Sequence, residues 1–381
     1  MTNSEIKEIR KRIEPTLGNF KCIYGCYVNA ASEIVSTMRI PVADMHQGEK
    51  EQYAALIKKA ISGTKGRNLL DLSFSSAQVE KSDEHRLLMA LRESHLEDEA
   101  MRTALYEQIV NSLATDGKGY VILLSADTYD VESRGGDDDG WSEESETQFE
   151  YFICSICQVK EPKAALRYLA EPKAFRGTST GSILASPFLG FMFPAFDDRQ
   201  ANIYDVLYYT KSTKDMHEEL IEDLFRMDRY PLTAEMQKTT FNETLAQTLT
   251  DDCSMEVITS LQSRIASKLE GSEGENAVNV PEVTLDEVCG ILKDKGVPAK
   301  KADEFRELAE TRLGDTSVKA ANLLQKNDYQ ITSSESKITV APEQAVRIRT
   351  KVIDGVTYFL VPVGSDVKVN GVDISVGYGK E

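Results

Sequence analysis

Asp197-Asp198-Arg199 is where residue types crowd most closely around a possible chemistry. The triplet interrupts an aromatic run, Phe188–Phe196, that resumes as Ile203–Thr210, so two buried strands are expected to meet at a short charged turn. Two carboxylates and a guanidinium at such a turn can hold a metal or an anionic ligand, or can simply keep the turn solvated. Asn202, Tyr204 and Tyr208 repeat at even spacing and would line one sheet face, as a pocket or as packing. Asp197, Asp198, Arg199, Asn202 and Tyr204 are therefore the candidate ligand-binding residues. Neighbouring carboxylates on a strand end face different ways, so a paired acid/base mechanism is not implied and no catalytic residue is assigned.

Cys154-x-x-Cys157 and Cys22-x-x-x-Cys26 invite a four-thiolate zinc reading. Zinc needs sulfurs converging at about 2.3 Å, usually from a tight knuckle. Both pairs instead lie in strand-like runs. The odd spacing of Cys154 and Cys157 points them to opposite faces, while Cys22 and Cys26 share a face but sit too far apart to chelate. Buried, unreacting thiols are the expectation, with no metal and no cofactor. His217-Glu-Glu-Leu-Ile221 opens like a zinc-protease helix but has isoleucine where the second histidine belongs. Gly63-Thr-Lys-Gly66 lacks the Walker spelling of a phosphate loop. Arg347, Arg349 and Lys351 alternate with Val346, Ile348, Thr350 and Val352, so three cations should share one face of a hairpin strand, either as a solvated face or as an anion or nucleic-acid contact.

The elements that must position these residues fall into an α+β arrangement. A helix over Ser4–Ile13 precedes a hairpin of Phe20–Val28 and Glu33–Arg39. Glu49–Ser62 is amphipathic, Asn68–Phe74 reads as a strand, and helices follow from Ser82 and over Glu97–Leu113. Tyr120–Val131 and Phe149–Val159 are strands around an acidic Gly/Ser-rich excursion, Glu132–Glu146, that holds the only tryptophan, Trp141. Further strands are expected at Leu166–Leu169, Gly190–Ala195 and Ile203–Tyr209, then a helix at His217–Phe225.

Residues 1–228 thus form an N-terminal α+β domain with a mainly antiparallel sheet and an acidic loop at 132–147. A helical segment covers 229–270, with helices at Thr233–Leu249 and Met255–Leu269, and 271–282 has linker composition. The C-terminal module, 283–381, opens on a capping box, Thr284-x-x-Glu287, and continues with helices at Lys301–Leu313 and Ser317–Gln325. From Tyr329 the period becomes two, and Asp354-Gly355 and Asn370-Gly371 mark tight hairpins.

Bulk properties bound the function. A chain of 381 residues with 41% apolar and 28% charged residues is an ordinary globular protein of two or three domains. No apolar run nears the ~18 residues of a membrane span. The charged N-terminus lacks a secretion core, and six cysteines without a framework fit a reducing compartment, so a cytoplasmic location is expected and no membrane partner. A net charge of −18 repels phosphate backbones at long range, so any nucleic-acid contact must be local and weak.

Several segments together resemble a known set of sequences: Glu8–Arg12, Gly25–Asn29, Glu84–Leu91, Tyr120–Asp130, Cys154–Cys157, Phe193–Arg199 with Asn202–Tyr204, and Val352–Tyr358. Over essentially its whole length the chain resembles the bacterial family catalogued as domain of unknown function 4317, which implies no activity. The order of elements is similar to that of the bacterial nucleoid-associated protein family, without matching residues. The expected function is a non-enzymatic binding or scaffolding protein with a protein partner. The alternatives are a nucleoid-associated or nucleic-acid-contacting protein, and an enzyme with its site around Asp197–Tyr208.

Overall fold

Apolar residues on both parities make a strand that must be covered on two faces, and this rule organises the N-terminal half. The computed structural model describes residues 1–131, 147–160, 165–169, 171, 173–178, 181–227, 229–270, 281–324, 329–332, 336–341, 344, 347–363, 367–369 and 372–374. The acidic excursion Glu132–Glu146 and the stretch 271–280 lie outside the described residues. The protein is α+β. It divides into two compact units, Met1–Thr240 and Phe241–Glu381.

In the first unit the strands are β1 (Cys22–Val28), β2 (Ile34–Pro41), β3 (Leu69–Ser73), β4 (Tyr120–Val131), β5 (Thr147–Lys160), β6 (Ala165–Leu169), β7 (Ala174–Thr178), β8 (Ile183–Phe193), β9 (Ala195–Asp197), β10 (Gln200–Asn202) and β11 (Asp205–Thr210). Seven of them form one sheet in the order β2-β1-β4-β5-β8-β11-β3, and each neighbouring pair is antiparallel. Helices α1 (Asn3–Arg12) and α2 (Gln47–Lys59) cover one face. Helices α3 (Ser76–Lys81), α4 (Asp83–Glu93), α5 (Glu99–Ser112) and α6 (Glu218–Leu224) follow in sequence, and α4, α5 and α6 cover the other face.

Strand β5 shows the logic. Phe152, Cys154 and Ile156 enter the core under α4, α5 and α6, whereas Phe149, Tyr151, Ile153 and Cys157 enter the core under α1 and α2. Helix α2 lies close to the sheet because position 190 is glycine: a Cβ there would stand 2.7 Å from the Ala60 Cβ and 2.8 Å from the Cys154 carbonyl oxygen. Both ends of α1 are set by sequence. Thr2 and Glu5 make a reciprocal capping box at the start, and Arg10, Lys11 and Arg12 lie in the last turn, where they oppose the helix dipole.

The run 188–210 differs from two strands joined by one turn. Strand β8 ends at Phe193, a cis peptide bond joins Phe193 to Pro194, and a small β9–β10 hairpin stands between β8 and β11. The helix expected to start near Ser82 is preceded by a separate short helix, α3, capped by its own Ser75–Gln78 box.

The division between units falls inside α7 (Ala234–Leu249). The second unit holds α8 (Met255–Glu270), α9 (Leu285–Asp294), α10 (Ala299–Leu313) and α11 (Ala320–Leu323). Val257, Leu261, Ile265, Val288, Leu292, Phe305 and Ala309 are buried there, with the Phe241 and Phe305 rings edge-to-face at 5.5 Å. The helix expected over Ser317–Gln325 is replaced by a strand and a single turn. Two three-residue strands, β12 (Glu282–Thr284) and β13 (Ser317–Lys319), pair antiparallel and bury Val283 against Val318; only Ala320–Leu323 then turns helical. The remaining strands are β14 (Tyr329–Thr332), β15 (Lys337–Val340), β16 (Arg349–Ile353), β17 (Val356–Leu360), β18 (Val367–Val369) and β19 (Val372–Ile374), and among the described residues each pairs with its sequence neighbour alone.

Candidate functional site

The sequence directs attention first to the β9–β10 hairpin. Asp198 and Arg199 both take left-handed backbone, with φ of 48° and 57°, which is what a two-residue turn of matching twist requires. Asp198 is exposed at the tip. Arg199 turns back onto α1: its Nη1 donates to both Glu8 carboxylate oxygens at 3.0 Å, and its backbone N–H reaches Glu5 Oε1 at 3.4 Å. Asp197 Oδ1 lies 3.5 Å from the Met1 nitrogen. Asn202 donates to Asp205 Oδ2 at 2.9 Å and accepts from the Tyr204 N–H at 3.0 Å, while the Tyr204 side chain is exposed.

These bonds extend into a buried network. Tyr129 donates to Glu8 Oε1 at 2.6 Å, and the Arg12 guanidinium lies 4.3 Å from the centre of the Tyr129 ring. Arg12 also donates to Asp127 at 2.8 and 3.1 Å, and Tyr151 donates to the same carboxylate at 2.8 Å. Burial, and then the neighbouring Asp127 carboxylate, hold the Tyr151 phenol well above its ordinary range. The arrangement clamps α1 across β4, β5 and the β9–β10 hairpin. Asn202, Tyr204 and Tyr208 do not share a face: the first two stand in the β10 strand and the turn after it, and Tyr208 is buried in the core beneath α6, donating to the Met216 carbonyl at 2.6 Å. The turn at 203–204 breaks the even spacing on which that expectation rested.

The cysteines occupy packing positions. Cys154 and Cys157 enter opposite cores, and Cys22 and Cys26 enter the same one. Burial pushes the Cys26 thiol up to about 11 and the Cys157 thiol up to about 12. Among the described residues no group of three or more His, Cys, Asp or Glu side chains could hold a metal ion.

Two further features of the first unit stand apart from the candidate residues above, one a motif plain in the sequence and the other a cavity that only the fold creates. Gly177-Thr-Ser-Thr-Gly181 spells the pattern of a nucleophile elbow, which needs a strand feeding directly into a helix. Here Gly177 and Thr178 end strand β7, the next described element is strand β8 rather than a helix, and Ser179 and Thr180 fall outside the described residues. The other feature is a concave site of about 380 Å³ at one end of the sheet, lined by Asp116, Lys118, Phe188, Asp215, His217 and Glu219 among others. His217 has φ of 54° and ψ of 60°, a strained backbone for a histidine. Its Nδ1 lies 3.3 Å from Glu219 and 3.9 Å from Asp215, and its ring meets Phe188 edge-on at 5.4 Å. Only the sheet brings positions 116, 188 and 217 together.

In the second unit the three expected cations separate. Arg347 lies in a turn, its N–H bonded to the Gln344 carbonyl at 3.0 Å, and Ile348 is buried, so the strand begins at Arg349. Arg349 and Lys351 remain at alternate positions of β16, opposite Leu360 and Tyr358 of β17. Residue 346 lies outside the described residues. All ten residues of β16 and β17 are exposed.

No curated protein matches the chain. A family model described as a domain of unknown function, DUF4317, matches residues 1–372, which takes in the first compact unit, most of the second and every candidate residue above. Among the described residues no helix is long and apolar enough to cross a membrane. The chain belongs to the DUF4317 family.

Proposed function

We propose that this chain is a non-enzymatic binding or scaffolding protein of the cytoplasm, and that it engages a protein partner by strand addition to the β16–β17 hairpin. The observation that carries this reading is the exposure of large apolar side chains on a sheet that has two strands among the described residues. Val352 is 64% exposed, Val356 54%, Tyr358 46%, Phe359 42% and Leu360 42%. An isolated hairpin is marginal in water, and its outer edges present unpaired backbone groups. A third strand would satisfy one edge and cover one apolar face. Arg349 and Lys351 against Asp354 give the hairpin two positive charges to one negative, which favours an extended apolar segment carrying carboxylates. The cytoplasmic assignment rests on six cysteines without a disulfide among them, five of them buried.

The test is a pull-down from the native cytoplasm with the wild type and with a Val356→Lys/Tyr358→Lys variant, alongside light scattering of each. Loss of one retained protein, or of self-association, in the variant alone is expected. An identical set of retained proteins and an unchanged mass would sink the reading.

A second reading, contact with nucleic acid, is favoured by the alternate cations Arg349 and Lys351 on an exposed strand with Arg347 just before it. Its salt dependence separates it from the first.

A further inference from the structure

At one end of the seven-stranded sheet, the hollow of about 380 Å³ gathers ionic groups from separate places in the chain. Asp116 and Lys118 come from the turn before β4, Gln158 from the end of β5, and Asp215, His217 and Glu219 from the start of α6. Three carboxylates and one ammonium thus meet in a single concavity, with Phe188 beside them. Among the described residues no hydrogen bond or ion pair occupies the side chains of Asp116, Lys118 and Gln158.

The frame behind these groups is fixed. Asp215 Oδ1 accepts the His217 backbone N–H at 2.9 Å. Glu219 Oε1 lies 3.3 Å from His217 Nδ1 and accepts the Ala114 N–H at 3.4 Å. One oxygen of each carboxylate is therefore engaged, and the other, among the described residues, is not. The other rim is a tight turn closed by the Lys118 N–H on the Thr115 carbonyl at 3.1 Å, with Asp116 and Gly117 at φ of 49° and 69°. Its base is tied to β5 by the Val159 N–H on the Gly119 carbonyl at 2.8 Å. The backbones that carry these charges are set before any ligand arrives, which lowers the ordering cost of binding.

We propose that this hollow binds a cationic amino acid of the arginine or lysine class. The charge count selects it: Asp116, Asp215 and Glu219 would take the ligand's two cationic groups, and Lys118 its single carboxylate. A polyamine would leave Lys118 facing a like charge, and an acidic amino acid would meet the three carboxylates. The Gln158 amide, both donor and acceptor, can serve either end of the ligand. The volume lies at the small end for ligand sites, in keeping with a molecule of this size. The hollow belongs to the first unit and the β16–β17 hairpin to the second, so neither proposal rests on the other.

The experiment is equilibrium dialysis of the full chain against radiolabelled L-arginine, with L-lysine, agmatine (arginine without its carboxylate) and L-glutamate as competitors. One site per chain is expected, with displacement by lysine, weaker displacement by agmatine and none by glutamate. Asp116→Asn, which keeps a residue suited to left-handed backbone, and Lys118→Gln should each weaken arginine by about fivefold, the weight of one exposed charge contact. Lys118→Gln should also erase the preference for arginine over agmatine, which a mere loss of structure would not do. Lys21→Gln, outside the hollow, should change nothing. The proposal is overturned if arginine does not bind, if its affinity is indifferent to both rim variants, or if agmatine or glutamate competes as well as unlabelled arginine.

Discussion

Strands β5 and β17 are built from the same kinds of residue and meet opposite fates. In β5, Phe149, Phe152, Ile153 and Ile156 are fully buried, because the strand lies mid-sheet with helices over both faces. In β17, Tyr358, Phe359 and Leu360 each remain 42% exposed or more, because among the described residues β16 is the one strand beside it. Apolar content alone therefore does not decide burial; the number of layers available to cover a strand does. The central strand of the first unit packs its aromatic residues into two cores, and the β16–β17 hairpin of the second leaves Tyr358 and Phe359 facing solvent.

The sharpest way to break this contrast is at the tightest contact of the first unit. Gly190→Ala forces a methyl group against Ala60 and the Cys154 carbonyl, so α2 must move off the sheet. A loss of about 1–3 kcal/mol is expected in urea unfolding, as for other overpacked cores. Val356→Lys, by contrast, should shift stability by no more than about 0.5 kcal/mol, as for other exposed positions. Equal losses at the two sites would remove the distinction between the units.

Alkaline titration separates the units less sharply. The Cys26 and Cys157 thiols are raised by burial from an ordinary value of 9.0 to about 11 and about 12. Groups whose folded value is raised stabilise fully below the unfolded value, and that stabilisation is lost as pH climbs through the folded one. The first unit should therefore weaken progressively between pH 9 and about 12. Native alkylation at pH 8 should spare Cys26, Cys154 and Cys157 and reach the half-buried Cys253 first. Rapid labelling of Cys154 in the folded protein would contradict the packing described above.

The smallest effect concerns nucleic acid. If Arg347, Arg349 and Lys351 all touched phosphate, affinity for duplex DNA would fall with a log–log salt slope near −2.7, and two contacts would give about −1.8. Weak binding with a slope in this range, lost in the triple glutamine variant, would support the second reading; binding that survives that variant would remove the stripe as its contact.

Much of the architecture could be read locally. The two-parity apolar runs of Tyr120–Val131 and Phe149–Val159, the Thr284–Glu287 cap and the Asp354-Gly355 turn each state their structure within a few residues. The candidate sites were far less legible. Nothing beside Arg199 in the sequence announces that Glu8, far off in the chain, lies 3.0 Å from it. Arg347 reads as part of a strand until the burial of Ile348 fixes where that strand begins.

Sequence by itself determined the α+β class, the pairing of strands across tight turns, the opposite faces of Cys154 and Cys157 and the acidic balance, since all of these follow from side-chain alternation, turn chemistry and charge count. Tertiary structure alone decided which apolar strands are covered and which charged residues are occupied by partners. Those outcomes depend on contacts between residues distant in the chain, and a local pattern carries no record of what lies across the sheet or beside the helix.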